Sequence, residues 1–535
     1  MLRFLLLSLS LGVVVSHSCD HEKIRLKPKI TGHLDIEGEE RTLQSWRDMR
    51  IIVDYSNLNR DFSKTDNHSL MIQYVLMNQI VDLIQRNMKV NGRTTISGLD
   101  ANSCDGFVTI PSNATKPIDA DLIIFVRAED SPSEGYVAQA TSCTVSGDTG
   151  RPTSGVINFN FANMETAPEN LDKNFRVALH EMMHVLFFSP DLYKYFAGYS
   201  STNLPYTNVD GVYTMRTPRL IEFAKTQLNC PSVTGVPLED NGGQGSLGAH
   251  FERTWVGNEI MSAQENIQMV ISGYTAALIE DSGWYQLSSG FTEPLAWGSG
   301  KGCEFVSPSF INSQCSSSVF PEYCKLSESD AITCTNDYQS ITACDENTFS
   351  NSCVIALPNQ TGYCSRELST DFVISSRIEK KGAGSRCVPV QVTLQSGSVI
   401  GAGGCFPVTC SGGSLSVTVA GTAYTCTTEG QNIQTGTGVT ITCPSPATFC
   451  NQYSKYSCGG TDCSGVGTCK DDGTCRCRYG FTGNSCSSKI DKCTIPSQTL
   501  CSLYTGLSSN PDPNSGSVSY VSQLFTMILF FALIF

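Results

Sequence analysis

Apolar positions in the first half of the chain follow two different periods. Residues 49–55 (MRIIVDY) and 122–127 (LIIFVR) are runs rich in β-branched and aromatic residues, which predicts strands. Between them Leu70, Tyr74, Val75, Met77, Ile80, Val81 and Ile84 recur near helical spacing. Residues 154–161 (SGVINFNF) predict another strand, and 171–188 a helix with Val177, Leu179, Met183 and Leu186 as apolar contacts. Pro218 opens a further helix, since proline suits the first turn, and Asn229 marks its end. Ile267, Val270, Ile271, Tyr274 and Leu278 predict a last amphipathic helix, closed by Gly283. Strands and helices mixed in this order give an α+β domain.

Cysteine usage changes the picture past residue 302. Of 25 cysteines, only Cys19, Cys104, Cys143 and Cys230 precede it, and twenty-one lie between Cys303 and Cys501. The first part must fold on an apolar core, whereas the second is stapled by disulfides and belongs to an oxidising compartment. Residues 303–457 read as short strands and turns, Gly/Ser/Thr-rich from 396 to 442. The 535 residues suggest two or three domains, and 40% hydrophobic against 16% charged residues describes globular rather than disordered chain. A formal charge of −14 excludes a general nucleic-acid binder.

Both ends point to the secretory pathway. Residues 1–16 carry Arg3 followed by a short apolar run, as in a signal peptide. Residues 524–535 are almost wholly apolar, preceded by the polar spacer 517–523 and the small residues Asn514, Ser515 and Gly516. That order predicts a GPI-attachment signal over 515–535, removed on maturation, and hence a place on the outer leaflet of the plasma membrane. Sequons at Asn67, Asn113 and Asn359 suit a glycosylated exterior.

The candidate chemistry is His180-Glu181-Met182-Met183-His184 on the predicted helix. Histidines four apart lie on one helix face, so both imidazoles can reach a single metal ion, and Glu181 is placed to act as a base on a polarised water. Chance placement yields on the order of 0.005 such pentapeptides, a risk every short motif carries. Of seven histidines, only His180, His184 and His250 lie beyond residue 68. The compact arrangement, with Gly at 187 and His at 190, fails because Phe187 and Pro190 stand there. An aspartate or glutamate farther along could supply a third ligand, as in thermolysin-like sites. His250 is available, however, and is followed by Asn258-Glu259-Ile260-Met261, and a methionine in a tight turn after the last ligand is the Met-turn.

At this point the chain resembles the leishmanolysin family of surface zinc metalloproteases. The pieces that carry the resemblance occur in order: ATSC at Cys143, GVINFN at 155–160, HEMMH, GAHFE around His250, NEIM, EDSGWYQ and PLAWGSGKGC ending at Cys303. The resemblance implies a metzincin-type zinc protease domain over 46–302, followed by a disulfide-rich, mainly β region. It further implies one catalytic Zn2+ held by His180, His184 and His250, with Glu181 as catalytic base and Met261 as a packing floor. Residues 155–160 would be an edge strand on which an extended peptide lies. Protein or peptide substrates follow from this reading. The odd cysteine, Cys19 in HSCDH, would be a zymogen switch within a propeptide over 17–45. Where the family keeps a glycine to end the active-site helix, this chain has Phe187. A left-handed terminating residue there would cost about 1 kcal/mol, unless the helix runs on to Ser189.

CRCRYGFTGNSC, within residues 458–486, resembles an EGF-like module, which implies the pairings Cys458–Cys469, Cys463–Cys475 and Cys477–Cys486. It reads as a spacer, with 487–514 as linker. The whole predicts a cell-surface zinc-dependent endopeptidase acting on extracellular or surface proteins and made as a zymogen. The alternative, favoured by Phe187, is a catalytically inactive adhesion or receptor ectodomain on a metzincin fold.

Overall fold

The apolar runs assemble into one sheet. The computed structural model describes residues 26–31 and 46–507, apart from 93, 210, 242–245, 265–267, 314, 316–319, 325–331, 347–350, 352, 359–361, 367–373, 376 and 394–395. The expected signal peptide, Cys19, Asn359 and residues 515–535 lie outside the described residues. The first strands are β1 (Lys29–Thr31), β2 (Trp46–Asp48), β3 (Ile51–Asp54), β4 (Met88–Asn91), β5 (Leu122–Glu129), β6 (Ala138–Ser146) and β7 (Pro152–Asn160). Five of them form a sheet in the order β1-β6-β7-β5-β3, with β6 antiparallel to β7 and the other neighbours parallel. Every residue of β6 and β7 is buried, as expected where both faces of a sheet are covered.

The stretch 155–160 is therefore not an edge strand. It lies in β7, between β5 and β6, because β6 folds back on it directly. Among the described residues the outermost strand on that side is β1, which pairs with the last three residues of β6, Thr144, Val145 and Ser146.

The residues at helical spacing between β3 and β5 form Asn67–Met71, a π-helical turn Ile72–Leu76 and Met77–Asn87 in succession. Asp66 caps the start, its carboxylate accepting from the backbone N–H groups of His68 and Ser69. The active-site helix is Leu171–Leu186, packed on β6 and β7. Gly155 permits that approach: a Cβ there would stand 2.3 Å from Val185 Cγ1. Ser142 of β6 also donates its hydroxyl to Val185 O at 2.7 Å.

The helix opened by Pro218 ends at Leu228, and Asn229 closes it in the left-handed conformation (φ 54°). The helix expected over 267–278 starts later, at Gly273, with Ser272 as its N-cap. Val270 is instead paired with Glu259, and the backbone needed for that pairing is unavailable to a helix.

Asp121, which precedes β5, is fully buried among arginines. It accepts from Arg47 Nη1 and Nη2 at 2.7 and 2.6 Å and from Arg50 N at 2.8 Å, with Arg151 Nη2 at 3.8 Å. Burial pushes its carboxyl up, but the Arg47 and Arg50 bonds and the Arg151 charge outweigh this and hold it below its ordinary 3.8. A folded-state value below the unfolded one means stability that is complete above about pH 4 and lost as pH falls through the folded value. Asp121→Asn should cost roughly 2–3 kcal/mol at pH 7, below the figure for a fully buried pair because Arg47 and Arg50 are partly exposed. Urea midpoints taken from pH 2 to 6 should show a shallower acid dependence in the variant.

The cysteine-rich region is built on a six-stranded antiparallel sheet. Its order is Thr422–Cys426, Ser414–Val419, Val399–Ser411, Ser385–Thr393, Val439–Thr442 and Asn432–Gln434. All twenty-four cysteines among the described residues are paired, including Cys458–Cys469, Cys463–Cys475 and Cys477–Cys486.

Residues 458–486 do not stand off as a spacer. Asp471 N donates to Thr292 O at 3.0 Å and Arg476 Nη2 to Phe291 O at 2.9 Å, which ties them to the first domain. Much of the expected linker is folded too. Ser497 caps a helix Gln498–Thr505, Gly506 ends it at φ 70°, and Leu500 and Tyr504 bury their side chains in the main core. Tyr504 and the disulfide Cys493–Cys501 supply the contacts that a linker lacks: the phenol donates to Thr166 O at 2.7 Å. Among the described residues no helix is long and apolar enough to cross a membrane. Asn67 and Asn113 are exposed.

Candidate active site

His180 and His184 project from one face of the helix Leu171–Leu186, and His250 arrives from a distant segment. That segment is held by backbone bonds on both sides: Glu239 N donates to His250 O at 2.9 Å and Phe251 N to Met261 O at 2.9 Å. The three Nε2 atoms converge. Those of His180 and His184 are 3.0 Å apart, and each stands 3.2 Å from that of His250. All three rings are fully buried.

The other ring nitrogen of each histidine faces a carbonyl. His180 Nδ1 meets Ile260 O at 2.5 Å, His184 Nδ1 meets Phe188 O at 2.7 Å, and His250 Nδ1 meets Ser246 O at 3.3 Å. A carbonyl only accepts, so each Nδ1 carries the proton and a neutral ring then offers its Nε2 lone pair inward. Burial also pushes His180 down to about 4, against the raising effect of the Ile260 carbonyl, which keeps the ring neutral.

Three converging Nε2 lone pairs form a donor set suited to a cation. A tetrahedral zinc ion with Zn–N near 2.0–2.1 Å needs neighbouring nitrogens roughly 3.3 Å apart. The observed spacings fit, and His180, His184 and His250 together could hold a metal ion.

Glu181 is buried on the same helix, between the two histidines in sequence. Met261 is fully buried in the turn that follows His250. Glu259 organises that turn. Its Oε2 accepts from Met261 N at 2.5 Å, and its Oε1 accepts from Ser272 Oγ at 3.0 Å and Thr275 Oγ1 at 2.5 Å. Burial raises the Glu259 carboxyl to about 7 in spite of these bonds. Ile260 N donates to Val270 O at 2.8 Å while Ile260 O receives the His180 proton. One short turn thus fixes a ring on the helix and, through Met261 O, the segment that carries His250.

Phe187 meets neither expectation. The helix ends at Leu186 rather than Ser189, and Phe187 takes an extended φ of −161°, which any residue adopts. The N–H groups of Phe187 and Phe188 both reach Met183 O at 2.9 Å, and both rings are buried. No left-handed residue is required, so the missing glycine carries no backbone cost here. This ending also delivers Phe188 O to His184. Phe188, Ser246 and Ile260 act through backbone oxygens and give no sequence signal, whereas Glu259 stood inside the NEIM motif. Cys19 lies outside the described residues.

A parallel-rich sheet, a histidine pair on the helix beneath it and a third histidine ahead of a methionine turn define a metzincin-type domain. Residues 58–353, more than half of the chain, match the leishmanolysin family, peptidase M8, and the chain belongs to that family. It is 30% identical over 272 residues to the leishmanolysin-like peptidase of Drosophila melanogaster, covering 42% of this chain and 40% of that protein. It is 28% identical over 297 residues to the leishmanolysin of Leishmania major, covering 53% and 46%. A match to the leishmanolysin of Leishmania tropica extends over 431 residues at 25% identity, covering 72% and 64%. The chain thus matches about two fifths of the length of its insect relatives.

Proposed function

We propose that the chain is a zinc-dependent endopeptidase. The observation that carries this reading is the triangle of His180, His184 and His250 Nε2 atoms, 3.0–3.2 Å on a side, with Glu181 on the same helix. The three histidines would hold one Zn2+. When bound, the ion supplies Lewis acidity, making water a nucleophile at neutral pH and polarising a carbonyl. Glu181 takes the proton from the attacking water on its carboxylate and passes it to the departing amine nitrogen as the C–N bond breaks. Ile260, Phe188 and Ser246 hold the rings in the tautomer that leaves Nε2 unprotonated. Met261 serves as floor rather than ligand. An extended peptide would pair with β6 ahead of Thr144, where β1 does not reach, since β7 is enclosed between β5 and β6.

The substrates on this reading are extracellular or surface proteins. Disulfide density supports the secretory route, and the apolar tail supports a GPI anchor on the cell surface. Residues 17–45 act as propeptide, 46–302 as catalytic domain, 303–457 as cysteine-rich domain and 458–486 as EGF-like module. Pairing of every other cysteine leaves Cys19 over, which supports a switch in which its thiolate blocks the metal centre of the zymogen.

The test is hydrolysis of a quenched fluorescent peptide by the processed chain. Chelation should abolish it, and one equivalent of zinc should restore it. Activity indifferent to metal removal would refute the assignment.

A further inference from the structure

Beneath the active-site helix lies a buried group of charges drawn from three parts of the chain. Arg176 stands one turn before His180 and is fully buried. Its guanidinium donates to Glu293 Oε2 at 2.8 Å, to Glu293 Oε1 at 3.2 Å and to Thr468 Oγ1 at 3.0 Å, and it also reaches Met269 O. Glu293 in turn grips the segment beside the methionine turn. Its Oε2 accepts from Ile271 N at 3.2 Å, and its backbone N–H donates to Ile271 O at 2.8 Å. The neighbouring Val270 is the residue bonded on both sides to that turn, through Ile260 N at 2.8 Å and Asn258 O at 2.7 Å.

The third contributor is the cysteine-rich segment 458–486. Arg476 Nη1 stands 3.2 Å from Glu293 Oε1, an ion pair rather than an aligned hydrogen bond, and Arg476 Nη2 donates to Phe291 O at 2.9 Å. One buried carboxylate therefore faces two guanidiniums, one from the helix that bears His180 and one from the disulfide module. Burial alone would raise the Glu293 carboxyl, but Arg176 and then Arg476 hold it below the ordinary range, so it remains an anion.

We propose that Arg476 is a positioning residue: through Glu293 it sets the active-site helix and the Ile271 segment, which makes residues 458–486 part of the catalytic unit. This rests on the metalloendopeptidase reading above. Neither Arg476 nor Thr468 reaches the reacting atoms. Their effect passes through Arg176 and Glu293, packed groups that connect directly to the elements holding His180 and Met261. Catalysis is sensitive to such displacement, a 1 Å error in placement costing up to about 100-fold in rate.

The experiment uses the processed full chain and the variants Arg476→Met and Arg476→Lys, each alone and with Glu293→Gln. Steady-state kinetics, zinc release to a chelator and amide hydrogen exchange are measured. Arg476→Met should lower kcat roughly ten-fold with KM changed less than about two-fold, within the range a positional error can produce. Zinc should leave faster, and exchange should quicken over residues 171–186, 258–264 and 268–271. Arg476→Lys should recover most of the loss. In the Glu293→Gln background the Met substitution should add little, since the two groups act as one unit.

The proposal is overturned if Arg476→Met quickens exchange only within 458–486 at unchanged kcat and zinc release, or if it lowers kcat equally in both backgrounds. Should Arg476→Met fail to fold, Arg476→Gln, which also removes the charge, carries the same comparison. A wild-type chain that binds zinc yet hydrolyses no peptide would defeat the protease reading, and exchange and zinc release would then decide the role of Arg476 on their own.

Discussion

Glu181→Ala should lower peptide hydrolysis by roughly 10^2–10^4-fold while zinc content stays at wild-type level, the scale expected when a general base is lost. Glu181 is buried on the helix that carries both histidines, so the substitution removes the proton acceptor and leaves the three imidazoles in place. An alanine in a helix interior carries no propensity cost. The deficit should therefore fall in kcat, with little change in KM and none in the histidine spacing. Single-turnover assays over a range of peptide concentrations separate these terms. Glu181→Gln should be nearly as inert, because an amide cannot accept and return the proton. A variant retaining a tenth of wild-type kcat would remove Glu181 from the mechanism.

His250→Ala has the second large expected effect, and its nature differs. Two histidines on one helix leave zinc short of the three protein ligands that catalytic sites use, so affinity should fall by at least about 100-fold. His250 also brings the segment bonded to Glu239 and Met261 against the helix, so metal binding and local folding are coupled there. Zinc should raise the thermal midpoint of the wild type and not that of the variant. Chelator competition gives the affinity, and calorimetry with and without metal gives the coupling. Equal zinc affinity in the two proteins would mean that His250 is not a ligand.

Much of this site is written in residue identity, and much of its support is not. The HEMMH spacing announces a helix-borne pair because the periodicity of the helix turns a four-residue interval into one face. His250, 66 positions beyond His184, has no local pattern of its own. It emerges from the scarcity of histidine and from the NEIM sequence behind it. The carbonyls of Phe188, Ser246 and Ile260 are common to any residue, so their role depends only on where the backbone runs. Strands 49–55 and 122–127 were legible as runs rich in β-branched and aromatic residues. β6 was not, since Ala-Gln-Ala-Thr-Ser-Cys is small and polar yet wholly buried. The helix expected from Ile267 shows the converse failure. Its spacing was right for a helix, but Val270 is committed to the methionine turn. Likewise Thr468 and Arg476 look like ordinary surface residues of a disulfide module, and only the packed structure reveals them against Glu293 and Arg176.

The most direct measurement is X-ray absorption at the zinc edge on the processed wild-type protein. Three imidazole nitrogens near 2.0–2.1 Å with a light fourth ligand, at one zinc per chain, is the expected spectrum. A first shell dominated by sulfur, or a fully folded chain that takes up no zinc, would contradict the account.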